Sequence, residues 1–246
     1  MTQEVYDKIA KYYQLLFDDW DKAVATEARR LDGLFQPRGI RSVLDCTCGT
    51  GLQCIGLAKE GYVVTGCDTS RKMLRQARRN ARSAAVKVRW ATADVRFLQQ
   101  TIHGPFDAVI TCGNSLAHMK TSNDLNRTLS SMYDATKVGG WCLVGGADYD
   151  AIMQERPEGS YRRFAELDDH WVLIYDTRTY GKQTITATFT VVRETQRGWR
   201  ERRFVMKLRA WRRSELLQGL LQAGFAEVLD LSVKGKIDLL ARKPRG

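Results

Sequence analysis

Residues 42–51, with the sequence SVLDCTCGTG, constrain this chain more than any other segment. Val43 and Leu44 begin a strand of buried character, which leads directly into Asp45 and a turn that contains two glycines. Residues 52–60 then carry apolar side chains at helical spacing. Small turn residues let a ligand approach the backbone, and the N–H groups at a helix start can face it. The segment therefore predicts a strand–turn–helix unit that either binds a ligand or serves packing alone.

Two further strands are predicted to end on a carboxylate. Residues 62–68 (YVVTGCD) end at Asp68, and residues 89–96 contain Asp94 where the strand pattern stops. Nucleoside-binding folds place an acidic residue about 20 residues past the glycine turn, where it accepts hydrogen bonds from ribose hydroxyls. Because the carboxyl ends of parallel strands meet at one edge of a sheet, the sequence predicts a ligand site at that edge.

Asp45, the turn around Gly49 and Gly51, Asp68 and Asp94 have a spacing that resembles the motifs of class I S-adenosylmethionine-dependent methyltransferases. The resemblance implies that the turn lies against the methionine part of S-adenosylmethionine, that Asp68 holds the ribose, and that Asp94 with Val95 flanks the adenine. S-adenosylhomocysteine would be the product. The cofactor-binding residues expected on this basis are Asp45, Cys48, Gly49, Thr50, Gly51, Asp68, Thr69, Asp94, Val95, Cys112, Tyr13 and Trp20. A nicotinamide-dependent dehydrogenase is the rival interpretation, but Cys54 stands where its third glycine is expected.

Two later runs resemble the glycine and sarcosine N-methyltransferase group. Residues 113–118 (GNSLAH) are similar to the Gly-Asn-Ser-Phe-Ala-His run of glycine N-methyltransferases, and residues 148–150 (DYD) to a run in which Arg precedes Asn/Asp-Tyr-Asp. The resemblance covers most of residues 1–150 and continues more weakly to the end. It implies methylation of a small amine or amino acid, with Asn114, His118 and Tyr149 as catalytic candidates.

This chain differs from the group at one position that matters for binding of the acceptor. In the group, the Arg before Asn/Asp-Tyr-Asp grips the carboxylate of the acceptor, and this chain has Ala147 there. Glycine is therefore a doubtful acceptor unless an arginine of the region after residue 150 takes over, and an O-methyltransferase or an amino-sugar N-methyltransferase of natural-product type is the alternative. The predicted substrate-binding residues are Asn114, His118, Asp148, Tyr161, Arg162 and Arg178, with Arg163 as a further substitute for the missing arginine.

The expected chemistry is direct in-line displacement of the methyl group by an acceptor lone pair. Alignment supplies up to ~7–11 kcal/mol of barrier reduction, whereas one general base contributes typically ~10²–10⁴-fold. Positioning by Asn114 and His118 should therefore dominate, with His118 as a candidate proton acceptor.

The segment before the first strand predicts one helix over residues 4–35. Its apolar stripe consists of Ile9, Tyr13, Leu16, Trp20, Val24 and Leu31. In the family that the chain resembles, a tyrosine-rich N-terminal segment closes over cofactor and acceptor, so a helical lid over residues 1–36 is expected. Packing of helix against core is the alternative role for these aromatic side chains, and for Trp20 it is the favoured one.

The whole pattern predicts an α/β fold with a Rossmann-like, doubly wound, mostly parallel seven-stranded sheet. Residues 37–146 and 213–246 form this core, and its last helix is followed by a reversed strand pair around Gly235. Within it, Asn123 or Asp124 is expected to cap a helix that stops at residues 138–140, before a strand at 141–144. Residues 147–212 are predicted to be an inserted antiparallel sheet, with strands at 171–180, 184–192 and 199–210. This insert either walls the acceptor pocket or forms a surface for a homo-oligomer.

Composition and net charge limit the binding partners that are expected for this chain. The 246 residues carry a formal net charge of +11, and five arginines between Arg71 and Arg82 recur at helical spacing. A solvated helix face is the favoured interpretation, although an RNA-modifying or RNA-binding protein stays open as an alternative, as does a non-catalytic cofactor-binding module. The chain lacks an apolar run of about 18 residues, its start does not resemble a secretory signal, and its six cysteines suit buried free thiols, so a cytoplasmic protein without membrane span or metal is expected.

Overall fold

The computed structural model describes residues 2–159 and 162–245, which form two sheets with helices around them. The helices are α1 (Thr2–Ile9), α2 (Trp20–Phe35), α3 (Leu52–Lys59), α4 (Arg71–Ser83), α5 (Ser122–Ala135), α6 (Tyr149–Glu155) and α7 (Arg213–Gln222). The strands are β1 (Ser42–Asp45), β2 (Val63–Asp68), β3 (Arg89–Thr92), β4 (Phe106–Thr111), β5 (Thr136–Ala147), β6 (Arg162–Leu167), β7 (His170–Tyr180), β8 (Thr184–Thr195), β9 (Gly198–Arg209), β10 (Glu227–Asp230) and β11 (Lys236–Arg242). Short 3₁₀ helices cover Ala10–Leu16, Gln36–Arg38, Val95–Gln100 and Leu116–His118.

The first sheet has seven strands in the order β10-β11-β5-β4-β1-β2-β3. Strands β1 to β5 pair in parallel, and β11 pairs antiparallel to both β5 and β10. The predicted seven-stranded, mostly parallel sheet with a reversed final pair is therefore confirmed. Because alternating strand residues point to opposite faces, Leu44 joins one hydrophobic cluster and Val43 the other. Both faces are covered, which explains why the strands are continuously apolar.

The N-terminal segment is not the single helix that its periodicity predicts. A 3₁₀ helix follows α1, and the backbone of Phe17 is extended (φ −111°, ψ 132°) before Asp19 caps α2. The Asp19 carboxylate accepts a hydrogen bond from the Lys22 N–H at 2.9 Å, and this competing cap starts a new helix. The apolar stripe is divided accordingly: Ile9 packs on the second sheet, whereas Leu31 packs on the first.

The second sheet is antiparallel, with the order β6-β7-β8-β9. Its three longer strands match the predicted ones, but β6 was not predicted from the sequence. The outward Phe164 of β6 is 57% exposed, so this strand lacks the apolar alternation that marks β8. Helix α6 was also missed, because it is short and its start is set by Asp148, which accepts from the Ala151 N–H at 3.1 Å.

Two boundaries in the core differ from the sequence prediction. Thr121, rather than Asn123 or Asp124, caps α5, because its hydroxyl accepts from the Asp124 N–H at 3.1 Å. Helix α5 ends at Ala135, and β5 begins at once rather than at residue 141. The pairing of β4 with β5 shifts register between Phe106 and Ala108, and Gly139 has φ +75° in the irregular stretch. The glycines therefore accommodate a bulge in the strand instead of ending the helix.

Candidate functional site

The glycine turn after β1 leaves open space at the carboxyl edge of the first sheet. Gly49 has φ +51°, and a Cβ built there would have no heavy atom within 4 Å. Gly51 has φ +90°, and a Cβ there would lie 2.9 Å from the Trp90 ring. Glycine is therefore required at 51 for packing as well as for conformation, whereas the space above Gly49 is available to a ligand.

The Asp68 carboxylate ties the turn to the end of β2. Its Oδ2 accepts from the Gly49 N–H at 3.0 Å, and its Oδ1 accepts from the Ser70 N–H at 2.8 Å. Burial raises the pKa of this carboxyl, while the backbone donors at Ser70 and Gly49 oppose that shift. A carboxylate oxygen that accepts one N–H has a further lone pair, so Asp68 can also accept from ribose hydroxyls. Thr69, next to it, is half-buried.

Asp45 lies beneath the turn rather than above it. The side chain is 1% exposed, and Oδ1 accepts from the Thr47 N–H at 3.2 Å. The Cys54 thiol donates to Oδ2 with an Sγ–Oδ2 distance of 3.6 Å. Burial raises the pKa of Asp45 to about 7. The structure therefore assigns Asp45 to holding the turn from within.

Cys48 and Thr50 support the same turn. The Cys48 N–H donates to the Cys67 carbonyl at 2.9 Å, and the Thr50 carbonyl accepts from Asn80 at 3.0 Å. Both residues are buried. Asn80 in turn accepts from Gln14 at 3.1 Å, so a residue of the N-terminal segment reaches the glycine turn through one amide.

Asp94 follows β3 and is already paired. Its carboxylate receives the Arg96 guanidinium, with the closest approach at 2.7 Å, and the same arginine contacts Asp124 at 3.0 Å. Burial raises the pKa of Asp94, but the pairing with Arg96 outweighs it, and the pKa lies below its usual value. Val95 is buried beside it. At the end of β3, a ligand would therefore meet an apolar side chain and backbone groups rather than a free carboxylate.

The end of β4 and the start of α6 bring the predicted acceptor residues together. The Tyr149 hydroxyl donates to Asn114 Oδ1 at 3.3 Å. His118, in the 3₁₀ helix after β4, has its Nε2 at 2.8 Å from the Tyr6 hydroxyl, and the two rings stand edge to face at 5.3 Å. Tyr6 was not predicted as a site residue, because no local sequence pattern relates positions 6 and 118.

Burial sets the protonation of this group. It lowers the pKa of His118 to about 4, and Lys120 adds to that effect. Burial also raises the pKa of the Tyr6 and Tyr149 hydroxyls above their ordinary values. Near neutral pH the imidazole is therefore uncharged and the phenols keep their protons, and the tautomer of the imidazole decides whether the Tyr6 hydroxyl donates to Nε2 or accepts from it. A neutral imidazole of such low basicity orients a partner better than it takes a proton.

Residues of α1 and of the segment after it contact the region around Asp68, and we refer to residues 1–36 as the lid, the role predicted for them from the sequence. Asp7 accepts from the Ser70 hydroxyl at 2.6 Å, beside the Asp68 loop. Burial raises the pKa of Tyr13 to about 12, with the Asp68 charge as a second cause. Trp20 stands edge to face with Phe17 at 5.2 Å and packs on the cluster of Val24 and Ile55. Tyr13 is thus close to Asp68, while Trp20 has the helix-to-core contacts that were its favoured alternative.

A cavity of ≈ 770 Å³ opens between the N-terminal helices and the ends of β4 and β5. Cys112, Gly113 and Gly146 line it on the side of the sheet, and Leu16 and Phe17 line it on the side of the lid. Burial raises the pKa of the Cys112 thiol, so it stays protonated and presents an apolar sulfur to this space. Leu52 and Gln53, which follow the glycine turn, also line the cavity, and Gly113 precedes Asn114 in the chain.

The insert contributes one predicted residue near the acceptor group. Arg178 pairs with Asp176 at 3.0 Å, and its charge acts on Tyr149. Asp148 is engaged as the cap of α6. Tyr161 lies outside the described residues, and Arg162 is described only as the first residue of β6. Arg163 turns instead to the lid, where it donates to the Phe17 carbonyl and pairs with Asp18 at 3.0 Å.

Within residues 2–159 and 162–245, no helix combines the length and apolar character that a bilayer span requires. In the same ranges, no group of three or more metal-ligating side chains is formed. The six cysteines are free thiols, as predicted.

The sheet order, the reversed edge pair, the glycine turn after β1 and the carboxylate after β2 together define the class I methyltransferase fold. Residues 43–140 match the model of a methyltransferase domain. Residues 43–140 therefore resemble a methyltransferase domain, and the chain is similar to the glycine/sarcosine N-methyltransferase group, as its motifs predicted.

Two curated relatives illustrate the resemblance. The glycine/sarcosine N-methyltransferase of Parasynechococcus marenigrum (strain WH8102) is 37% identical over 150 residues, covering 58% of this chain and 53% of the relative. The glycine N-methyltransferase of Homo sapiens is 32% identical over 157 residues, covering 58% of this chain and 53% of the relative. The chain thus spans about half the length of these relatives.

Solved structures share the fold over nearly the whole chain. DesVI of Streptomyces venezuelae has a TM-score of 0.78 at 20% identity, with 93% of this chain and 95% of that chain covered. The sugar N-methyltransferase KedS8 from Streptoalloteichus sp ATCC 53650 has a TM-score of 0.80 at 20% identity, with 95% and 91% covered. The coverage includes most of the inserted sheet, so the architecture as a whole has close structural counterparts.

Proposed function

We propose that this protein transfers a methyl group from S-adenosylmethionine to the nitrogen of a small-molecule amine. The observation that carries the proposal is the arrangement at the carboxyl edge. Asp68 is held by the turn at Gly49, two strands away from the Asn114–Tyr149 and Tyr6–His118 pairs. A carboxylate suited to a ribose and two neutral polar pairs suited to an acceptor thus lie along the same edge of one sheet.

When bound, S-adenosylmethionine supplies an activated methyl group, so the protein has to align the acceptor, exclude water and receive one proton. Asp68 and the turn at Gly49 would hold the cofactor, and Tyr13 would cover it from the lid. Asn114 and His118 orient the acceptor nitrogen so that its lone pair faces the methyl group. The acceptor nitrogen would take the methyl group that the cofactor supplies, and the product nitrogen would release its proton to water, because His118 with a pKa of about 4 is a weak proton acceptor.

The acceptor side favours an amine without a carboxylate beside it. Ala147 pairs with Lys236 in the sheet and has no guanidinium to offer. Arg163 is engaged with the lid, and Arg178 is paired with Asp176. A second candidate is therefore methylation of an amino sugar, which is supported by Ala147 together with a fold shared with a sugar N-methyltransferase over 95% of this chain.

The test is methyl transfer from labelled S-adenosylmethionine to a panel of glycine, sarcosine, glucosamine and a mixed metabolite extract, with identification of the methylated mass. We expect an N-methylated product, with glucosamine or an extract amine preferred over glycine. Methylation of oxygen alone, or cofactor binding without any product across the panel, would contradict the proposal.

The His118→Ala and Asn114→Ala variants test the acceptor roles. Each should lower kcat on the identified acceptor by about tenfold to a hundredfold, because alignment is lost, while cofactor affinity changes little. Ser130→Ala, on the exposed face of α5, is the matched control. If His118→Ala leaves turnover unchanged, the imidazole has no part in the reaction.

A further inference from the structure

The opposite edge of the first sheet carries a second concavity, of ≈ 800 Å³. It lies at the starts of β2 and β3, between the C-terminal end of α3 and the C-terminal half of α4. Val63, Val88 and Trp90 form part of its apolar floor. Its polar rim is made of cations: Arg78, Arg82, Lys87 and Arg89.

These four cations, which we call the basic groove, have no anionic counterpart. No carboxylate lines the cavity. All four side chains are exposed, and in the described ranges none of them forms an ion pair within the 4.0 Å limit. Several arginines elsewhere are paired with carboxylates, such as Arg30 with Glu27 at 2.7 Å and Arg96 with Asp94 at 2.7 Å. The groove therefore brings four cations together around one cavity whose lining contains no carboxylate.

Helix α4, which supplies Arg78 and Arg82 to the groove, is destabilised by repulsion between its own cations. Its sequence, RKMLRQARRNARS, has no acidic residue, and like charges stand four residues apart at Arg71–Arg75, Arg75–Arg79 and Arg78–Arg82. Each such pair costs about 0.2–0.5 kcal/mol, and cations in the first turn also oppose the helix dipole. The helix is held by its buried face, which includes Met73 and Leu74. Neighbouring like charges that destabilise a helix, without a compensating contact in the fold, are typical of a functional surface.

We propose that the basic groove binds the phosphate backbone of a nucleic acid, at a surface separate from the methyl-transfer site. A concave groove with cations on its rim can follow a strand, whereas a flat bilayer surface would leave the groove unfilled. The two aromatic side chains that border the groove are already engaged. The Trp90 ring packs over Gly66, and the Tyr62 hydroxyl donates to Asp32 at 2.7 Å. Binding is therefore through phosphates and independent of base sequence.

The position of the groove keeps the two sites apart. The basic groove lies where β2 begins, and Asp68 lies where it ends. Six residues of strand span about 20 Å at ~3.3 Å per residue. A strand of nucleic acid on the groove would therefore leave the carboxyl edge free for a small acceptor, and this inference goes beyond the proposed function without depending on it.

The experiment measures binding of a fluorescent single-stranded RNA of 20 nucleotides to the full chain by anisotropy, from 50 to 200 mM salt. Four phosphate contacts give a slope of log K against log salt of about −3, which is a loss of roughly fiftyfold over this range. In the Arg78→Glu/Arg82→Glu variant we expect the slope to fall to about half, with at least tenfold weaker binding at 50 mM salt.

The Arg127→Glu/Lys207→Glu variant has the same change in net charge on other exposed surfaces and is the matched control. It should retain RNA binding within about threefold. An equal loss in both variants, no binding of RNA at micromolar protein in 50 mM salt, or preference for anionic phosphatidylserine vesicles over RNA overturns the proposal. Thermal melting confirms that the variants are folded, and S-adenosylhomocysteine affinity, which should not change, separates this outcome from a failure of the proposed function.

Discussion

The two sheets differ in how they are held and in what they contribute. The seven-stranded sheet is buried on both faces, and its ends carry Asp68 and the glycine turn. The four-stranded sheet has one packed face and one outward face, on which Phe164 and Trp171 stack at 4.7 Å in the open. Packing on both sides fixes strand ends tightly, which suits a cofactor site that requires fixed geometry. One-sided packing leaves more freedom, which suits the wall of an acceptor pocket.

The largest expected effect concerns cofactor affinity, which should depend on the first sheet and not on the second. Asp68→Ala should weaken S-adenosylhomocysteine binding about 100-fold, because charge-assisted hydrogen bonds to the ribose are lost. Arg178→Ala, in the second sheet, should leave that affinity within about twofold. Calorimetry on both variants, with melting as a check of folding, decides the point. Comparable losses in the two variants would remove the distinction between the sheets.

The second test concerns tight packing in the first sheet. A Cβ at Gly66 would lie 2.7 Å from the Trp90 ring and 2.8 Å from the Cys54 sulfur. Gly66→Ala should therefore lower the free energy of unfolding by about 2 kcal/mol. Gly33→Ala, where nothing lies within 4 Å, should raise it by about 0.5–1 kcal/mol, since alanine favours the helix. Urea unfolding measures both; equal effects of one sign would show that the core is loosely packed.

The third test concerns the contact between lid and acceptor group. With a folded pKa of about 4 for His118 against an ordinary 6.5, the unfolded chain binds more protons between these values. The stability that neutral His118 contributes is therefore present above about pH 6.5 and is lost as the pH falls toward 4. If the Tyr6 hydroxyl donates to Nε2, Tyr6→Phe removes that donor and should raise this pKa by about one unit, equivalent to ~1.4 kcal/mol. NMR titration of the imidazole, assigned with His118→Gln, checks this; an unchanged pKa in Tyr6→Phe would mean that the hydroxyl does not donate to the ring.

The smallest expected effect concerns the link between the second sheet and the lid. Arg163→Ala removes the contacts to the Phe17 carbonyl and to Asp18, whose side chain is fully exposed. Because solvent screens such a pair, the loss in stability should stay below about 1 kcal/mol. Hydrogen exchange of residues 10–19 should nevertheless increase. Exchange as slow as in the unchanged protein would show that the second sheet does not hold the lid.

The same contrast explains how much could be predicted from the sequence. The first sheet was predictable because its strands β1 and β2 are mostly apolar runs that end on a turn, at Asp45 and Asp68. Strand β6 was not predictable because it lacks apolar alternation, and helix α6 was not because it is short and its start is set by the Asp148 cap. The contact between Tyr6 and His118 joins residues 112 positions apart. It depends on where the lid folds back, and no local pattern records that. The break in the helix at Phe17 was missed because apolar periodicity continues across it. The start of α2 is set instead by the Asp19 cap.

The central claim is that the carboxyl edge of the first sheet binds S-adenosylmethionine. The most direct test is isothermal titration of the unmodified protein with S-adenosylhomocysteine, which avoids turnover. The account predicts one site per chain with a dissociation constant in the micromolar range or tighter, about −8 kcal/mol. The absence of binding at ligand concentrations up to about 1 mM, well above that constant, would contradict it.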